Sequence, residues 1–502
     1  MSLFIRDNWW TFMSAQISRL SCSAVLVGLL AGCAVGPDFV RPEETKIGHY
    51  TNGADPSVTV AANGTAQHFS PGAQIAAEWW RVFRSNELDA VIKQSLDHNP
   101  GLEAAQASLK AAHDNLRAGY GVFYPALGGD FSAAREKISP AAFGQQTSGG
   151  TFNLFSLSGT VSYALDIWGG ERREVEELGA QEDVQKATEE GTWLALVSNI
   201  VDTVVAKAAY IAEIRATREL IDLQKQQVAL GETQFRAGTV PYSNVLSIQS
   251  QLESYEATIP ALEQKVTQAD DLLATLAGLT TADWRPPTVD LADLSLPSDL
   301  PVSLPSDLVR QRPDILAAEA AAHSASADIG VATAAMLPNI TLSAGYGTES
   351  NTLGNFFASG GNVWTLGSDI ATPVIQGPTL WYKRQAAIDT YKGAVALYRQ
   401  TVLGAFEQVA DTLRALDNDA NILAAEDKAL ATAKEALHLV QTNYKAGTAN
   451  YLDVLNADAQ YHQAEIADLQ ALAMRYQDTV ALFTALGGGW WTRLSGKAAS
   501  VR

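Results

Sequence analysis

The sequence predicts an α+β membrane protein made of a duplicated unit, in which each copy joins a β-hairpin to long helical hairpins. Three observations carry this reading. A short stretch occurs twice: residues 235–246 read FRAGTVPYSNVL and residues 444–455 read YKAGTANYLDVL, with Gly238 and Gly447 standing 209 residues apart. Each stretch follows a proline-free helical pattern too long for an ordinary globular helix. Ahead of each such pattern lie segments of about ten residues whose apolar and polar side chains alternate, the signature of a strand with one greasy face.

Taken in order, the chain opens with Arg6 and Arg19, then an apolar run over residues 24–30 that closes in Leu30-Ala31-Gly32-Cys33. A charged start, a short apolar core and small residues before a cut mark an export signal over residues 1–32, and the run is too short to span a bilayer. Its ending resembles the bacterial lipobox, in which the cysteine takes the lipid and becomes the first mature residue. Cys33 is therefore the expected lipidation site, and Cys22, lost with the signal, leaves it no disulfide partner. Ala34 after the cysteine favours, by the same resemblance, sorting to the outer membrane. Met13 would give a more usual signal length than Met1. Against 55 Asp and Glu there are only 35 Lys and Arg, a formal charge of −20. That balance repels nucleic acid and offers no polybasic membrane patch.

Residues 33–78, rich in Gly, Pro, Thr and Ala, read as an extended arm between lipid and body. The first repeat is expected over 79–284. It begins with Trp79-Trp80-Arg81-Val82-Phe83, which with Leu88, Val91, Ile92 and Leu96 reads as the apolar face of a first helix. Asn99-Pro100 opens an Ala-rich helix running to Tyr124-Pro125. Strands are expected at about 127–134 and 154–166; in the latter Phe155, Leu157, Val161, Tyr163 and Leu165 alternate with Ser156, Ser158, Thr160 and Ser162. From Gly170 a helical pattern runs to Arg236, about 100 Å at 1.5 Å per residue. Val197, Ile200, Val201, Val204 and Val205 mark its packed face. A glycine at 238 reads as the left-handed stop of that helix and the start of a tip turn. Prolines at 286, 287, 297, 301 and 305 make 285–305 the linker between copies. The second repeat, 306–489, answers the first part by part. Arg312-Pro313 matches Asn99-Pro100 and Leu337-Pro338 matches Tyr124-Pro125; strands fall at about 339–348 and 363–373, the tip turn near 447, and 490–502 form a tail.

Four amphipathic strands have the length to cross an outer membrane when tilted. No other stretch of the mature chain reads as a transmembrane helix. Four strands cannot close on themselves, and an open edge in lipid costs several kcal/mol per unpaired backbone group, so the barrel must be shared between chains. Two chains give eight strands and a filled interior; three give twelve and room for a lumen. A polar face of Ser, Thr and Gly suits the wet lumen. The competing reading, a soluble sandwich, leaves the lipid anchor and the long helices without a purpose. Those helices must bury their apolar stripe against one another, most economically as a second, helical barrel.

Trp79-Trp80-x-x-Phe83, Arg312-Pro313-Asp314-Ile315, Leu337-Pro338 and the paired Ala-Gly-Thr tips resemble the outer membrane efflux proteins. Cys33-Ala-Val-Gly36-Pro37-Asp38-Phe39-x-Arg41-Pro42 is similar to the start of the NodT-type lipoproteins that serve resistance-nodulation-division pumps. The resemblance implies a homotrimer with a twelve-stranded β-barrel and a periplasmic α-helical barrel, meeting a periplasmic adaptor (membrane fusion) protein and an inner membrane resistance-nodulation-division pump. It also implies a gate at the tips. There Tyr444 and Asp453 match a gate tyrosine and a gate aspartate. Asn456 and Ala449 replace a second aspartate and an arginine, and Asn244 replaces an acid of the first copy. Three Asp453 carboxylates would favour cations at the mouth, though an acid at a helix start is favourable in any case, and Tyr444 also reads as interhelical packing. The acidic runs Glu176-Glu177 and Glu189-Glu190 read as solvated or lumen-facing surface. No nucleophile triad, phosphate loop or metal-ligand spacing appears, so neither enzyme chemistry nor a cofactor is expected. The expected role is a passive outer membrane duct for small molecules expelled by a partner pump. The alternatives are the outer channel of a type I protein secretion system and a lipid-anchored coiled-coil protein without a pore.

Overall fold

The computed structural model describes residues 34–43, 47–137, 150–358, 360–373 and 378–492; the export signal, Cys22 and Cys33 lie outside the described residues. The arm contributes β1 (His68–Pro71), followed by the first copy: α1 (Asn86–His98), α2 (Pro100–Gly119), β2 (Ala126–Lys137), β3 (Thr151–Leu165), α3 (Gly170–Arg236) and α4 (Tyr242–Leu276). After β4 (Asp299–Val302) the second copy repeats that order as α5 (Pro305–Gln311), α6 (Pro313–Ala334), β5 (Asn339–Ser350), β6 (Asn362–Ala371), α7 (Thr379–Lys445) and α8 (Tyr451–Ala485). α3 and α7 are each 67 residues long, and α4 and α8 are each 35. The duplication therefore extends to the lengths of the long helices.

The chain divides into two compact units. The first, from residues up to 41, 110–183 and 319–396, holds one antiparallel sheet in the order β2-β3-β5-β6, which leaves β2 and β6 each with an unpaired edge. Its register puts Leu127 opposite Val161, Val161 opposite Ala344 and Ala344 opposite Leu366. One face thus carries Leu127, Phe131, Leu157, Val161, Leu342, Tyr346, Trp364 and Leu366, and the other Ser132, Ser156, Ser158, Thr160, Ser343 and Thr365, because successive side chains point to opposite faces. Leu127, Trp364 and Leu366 are 82%, 74% and 79% exposed, so at these three positions the apolar face is open among the described residues.

Residues 34–41 are fastened at the strand roots. The Val35 amide donates to the Trp168 carbonyl (2.8 Å), and the Trp168 indole donates to the Pro338 carbonyl (2.8 Å). Gly36 has φ 95°, and a Cβ there would stand 2.5 Å from Gly330 Cα, so only glycine fits this approach. Arg173, almost wholly buried, donates to Val35 O, Asp38 and Glu176. Phe39 stacks on His323, which pairs with Glu176 at 2.9 Å, and Arg41 pairs with Glu319 at 2.7 Å. Each conspicuous residue of the Gly-Pro-Asp-Phe-x-Arg stretch except Pro37 so has a partner. The acidic runs are corrected here: Glu176 is spent on Arg173 and His323, and Glu190 is buried.

The second unit holds the main core. Trp79 stacks on Phe483 with ring centroids 5.1 Å apart, and Phe83 packs on Tyr476. Trp79–Phe83 form a separate 3-10 turn rather than the face of α1: Arg84 takes a left-handed conformation (φ 57°) that ends the turn, and the Ser85 side chain caps the new helix by accepting from the Leu88 amide. The linker is more than a spacer, since β4 pairs in parallel with β1 and buries Leu300 and Val302. Each copy closes on itself by an equivalent joint. Asn99 donates to the Leu276 carbonyl at the end of α4, and buried Arg312 donates to the Ala485 carbonyl at the end of α8 while gripping Asp314 with two nitrogens. Contrary to the expectation that no helix could span a bilayer, α3 contains an 18-residue stretch apolar enough to do so, 67% of it buried. Its apolar residues Val197, Ile200, Val201, Val204 and Val205 belong to this core.

Candidate functional site: the paired helical tips

Both tip turns lie in the second unit and have the same construction. In the first, Gly238 (φ 74°) donates its amide to Phe235 O and Thr239 donates to Gln234 O; in the second, Gly447 (φ 78°) donates to Tyr444 O and Thr448 to Asn443 O. These paired bonds are a Schellman stop, which satisfies the last carbonyls of α3 and α7. Each threonine hydroxyl adds a bond to the same carbonyl as its own amide. Only the start of the next helix differs. α4 begins after Pro241 with no side-chain cap, whereas Asn450 and Asp453 form a reciprocal capping box at the start of α8.

The expected tip residues are distributed accordingly. Gly238 and Gly447 are exposed apices with open space around them. Asn244 lies in the first turn of α4, its amide bonded to the Pro241 carbonyl at 3.0 Å, while Asn456 is exposed on α8. Asp453 is exposed, and its carboxylate accepts from the Asn450 amide at 3.1 Å, so at least one oxygen serves the helix start. Tyr444 joins the two copies: its hydroxyl donates to Gln234 Oε1 of α3 at 2.8 Å.

That bond is the outermost rung of a ladder which sequence reasoning missed. Behind it Tyr451 donates to Gln227 Oε1 at 2.5 Å, with its ring edge-on to Tyr444. Deeper still, Gln224 Nε2 donates to Asp458 Oδ2 at 2.6 Å, and Gln470 Nε2 donates to Glu213 Oε1 at 3.3 Å. Every rung runs from α3 to the second hairpin. Burial pushes the Asp458 carboxyl up to about 6, with the Gln224 amide opposing, and burial lowers His462. Tyr451 is raised by burial first and by Asp458 second. The available signal was the seven-residue spacing of Tyr451 and Asp458, which keeps them on one stripe of α8. The arrangement can hold two hairpins together and let them part. Among the described residues there is no group of three His, Cys, Asp or Glu side chains suited to a metal.

The model of the outer membrane efflux protein family matches residues 91–279 and 304–488 of this chain. The pyoverdine export outer membrane protein OpmQ of Pseudomonas aeruginosa is 29% identical over 429 residues, spanning 84% of this chain and 89% of OpmQ. The probable outer membrane lipoprotein SilC of Salmonella typhimurium is 26% identical over 489 residues, spanning 95% and 99%. The solved structure of the outer-membrane channel OprN superposes with a TM-score of 0.82 at 26% identity, covering 91% of this chain and all of that one.

Proposed function

We infer the function from one premise: the chain belongs to the outer membrane efflux protein family. It is an outer membrane channel of an efflux system. The observation that carries the further reading is the amphipathic four-stranded sheet with two unpaired edges. In lipid those edges must pair, and pairing β6 of one chain with β2 of the next closes three chains into a twelve-stranded barrel. Its apolar face meets acyl chains and its Ser and Thr face lines a wet lumen. Exposed Tyr120, Tyr124, Trp381 and Tyr382 flank the strand roots, where an interfacial aromatic belt belongs.

The seat of residues 34–41 supports lipidation of Cys33. A Cβ on Gly169 would stand 2.6 Å from Ala34 Cα, so the residue after the cysteine sits beside the root of β3, where a lipid would enter the periplasmic leaflet. The tips then meet a periplasmic adaptor, which links the channel to an inner membrane resistance-nodulation-division pump. The pump supplies the energy; the channel conducts passively and is no enzyme. Tyr444, with its bond to α3, is the gate contact this reading favours, while Asp453 serves both its helix cap and the charge at the mouth.

The test is conductance of the purified lipoprotein in a planar bilayer together with its mass in detergent. A trimer with small, cation-preferring openings that grow on Tyr444→Phe supports the gated channel. A species of any other stoichiometry with no conductance sinks it and favours the coiled-coil alternative.

A further inference from the structure

Behind the tips the second unit contains a buried polar cluster for which conduction has no use. Gln224 of α3 and Asp458 of α8 are fully buried, and His462, one turn after Asp458, is 7% exposed. Tyr255 of α4 packs edge-on against His462 with ring centroids 5.1 Å apart. The Gln224–Asp458 bond leaves three buried atoms without a partner: Asp458 Oδ1, Gln224 Oε1 and His462 Nδ1.

The chemistry of those three atoms is lopsided. An ionised carboxylate oxygen and an amide oxygen can only accept, and so can Nδ1 of a neutral histidine whose proton is on Nε2. Acceptors cannot satisfy one another, and each buried one left alone is destabilising. A single proton on Asp458 Oδ1 converts an acceptor into a donor beside the Gln224 amide to which Asp458 is already bonded. With the His462 proton on Nε2, the cluster is one proton short.

We propose that Asp458, with Gln224 and His462, is a proton-binding latch between the two copies of the duplicated unit, fastening α8 to α3 when protonated and releasing it as pH rises. The surroundings favour the proton. On α8 itself Tyr451 and Tyr461 face Asp458, and Glu465 accepts a bond from Tyr461. α4 contributes Tyr255; one step farther out Glu219 of α3 acts on Tyr461 and Glu465, Lys434 of α7 acts on Glu465, and Tyr444 of α7 acts on Tyr451. The raised Asp458 carboxyl agrees with this geometry. If a released Asp458 returns to an ordinary value near 4, the release equilibrium rises about tenfold between pH 5 and pH 7.5. That release widens the mouth of a duct rests on the channel reading above; the latch itself does not.

The test is hydrogen exchange of the full-length lipoprotein in detergent, following peptides from residues 451–465 at pH 5 and pH 7.5 after correction for intrinsic exchange. About tenfold stronger protection at pH 5 is expected, lost in Asp458→Asn, whose amide supplies the missing donor at either pH, and kept in Glu465→Gln. Gln224→Glu, which gives Asp458 a second carboxyl to share the proton with, must move the midpoint to higher pH. Should Asp458→Asn fail to fold, the wild-type and Gln224→Glu profiles decide. Flat wild-type protection, or a wild-type profile surviving in Asp458→Asn, overturns the latch. Failure of the channel reading shows instead as absent conductance or a non-trimeric mass.

Discussion

Replacing Arg475 with Met tests how residues 59–67 of the arm are held to α8 within the second unit. Arg475 is fully buried on α8, and its guanidinium donates to Gln67 Oε1 (3.0 Å), Ala62 O (3.3 Å), Thr59 Oγ1 (3.3 Å) and Thr65 O (3.1 Å), all on the arm. Bonds to a charged group contribute roughly 1.5–3 kcal/mol each. Simple addition overstates the sum, because the four share one head group whose burial itself costs several kcal/mol. What the methionine leaves behind decides the size: two backbone carbonyls and a glutamine oxygen lose a buried donor, and removing one member of such a network costs about 3–5 kcal/mol. The charge also matters. Burial, then neighbouring Asp478, raises the Asp419 carboxyl to about 7, and Arg475 opposes that rise. A carboxyl raised in the folded state binds its proton more tightly folded than unfolded. The stability it contributes is therefore full below its unfolded value near 4 and lost as pH rises through about 7. Without Arg475 the carboxyl rises further, so the deficit of Arg475→Met is larger at pH 8 than at pH 5. Limited proteolysis of residues 57–71, followed alongside thermal unfolding at both pH values, reads the two effects. Arg475→Lys, with one ammonium for four acceptors, falls between. An arm as resistant as the parent's, with an unchanged unfolding midpoint, refutes the reasoning.

The remaining predictions follow from single observations. Gly238→Ala and Gly447→Ala force a side chain into the left-handed region at about 1–2 kcal/mol each; exchange of amides in the last turns of α3 and α7 rises although nothing packs on either glycine. Asn450→Ala removes half of the capping box and costs about 0.5–2 kcal/mol, seen as faster exchange in the first turn of α8, whereas Asn244→Ala in the uncapped first copy leaves the α4 start unchanged. Leu366→Arg, on the apolar face, costs about 2–4 kcal/mol at mid-bilayer and blocks folding into liposomes. Thr365→Arg, its neighbour on the other face, folds and lowers cation conductance; equal behaviour of the two variants refutes the assignment of faces.

What could be read in advance depended on whether a residue's reason was local. Gly238 and Gly447 announce themselves because a helix stop demands positive φ from the residue alone, and the Phe155 to Leu165 alternation is legible because successive side chains of a strand point to opposite faces of the sheet. The fold class rests on such local constraints. β4 could not be read: its four residues lie between prolines and become a strand only because residues 68–71, some 230 positions earlier, pair with them. The ladder failed for the same reason more severely. Gln224 and Gln227 sit mid-helix, where glutamine normally means a solvated surface, and their burial is decided by α8, whose Asp458 lies 234 residues away. Asp458 and His462, four apart, share a face, yet a search for metal spacing passes over them because the third member of the cluster is an uncharged amide on another helix. In a fold made of long, nearly uniform helices, pattern fixes which stripe is inward, but not which polar residues on that stripe meet each other. The chemistry of such a protein is therefore concentrated where its sequence looks most ordinary.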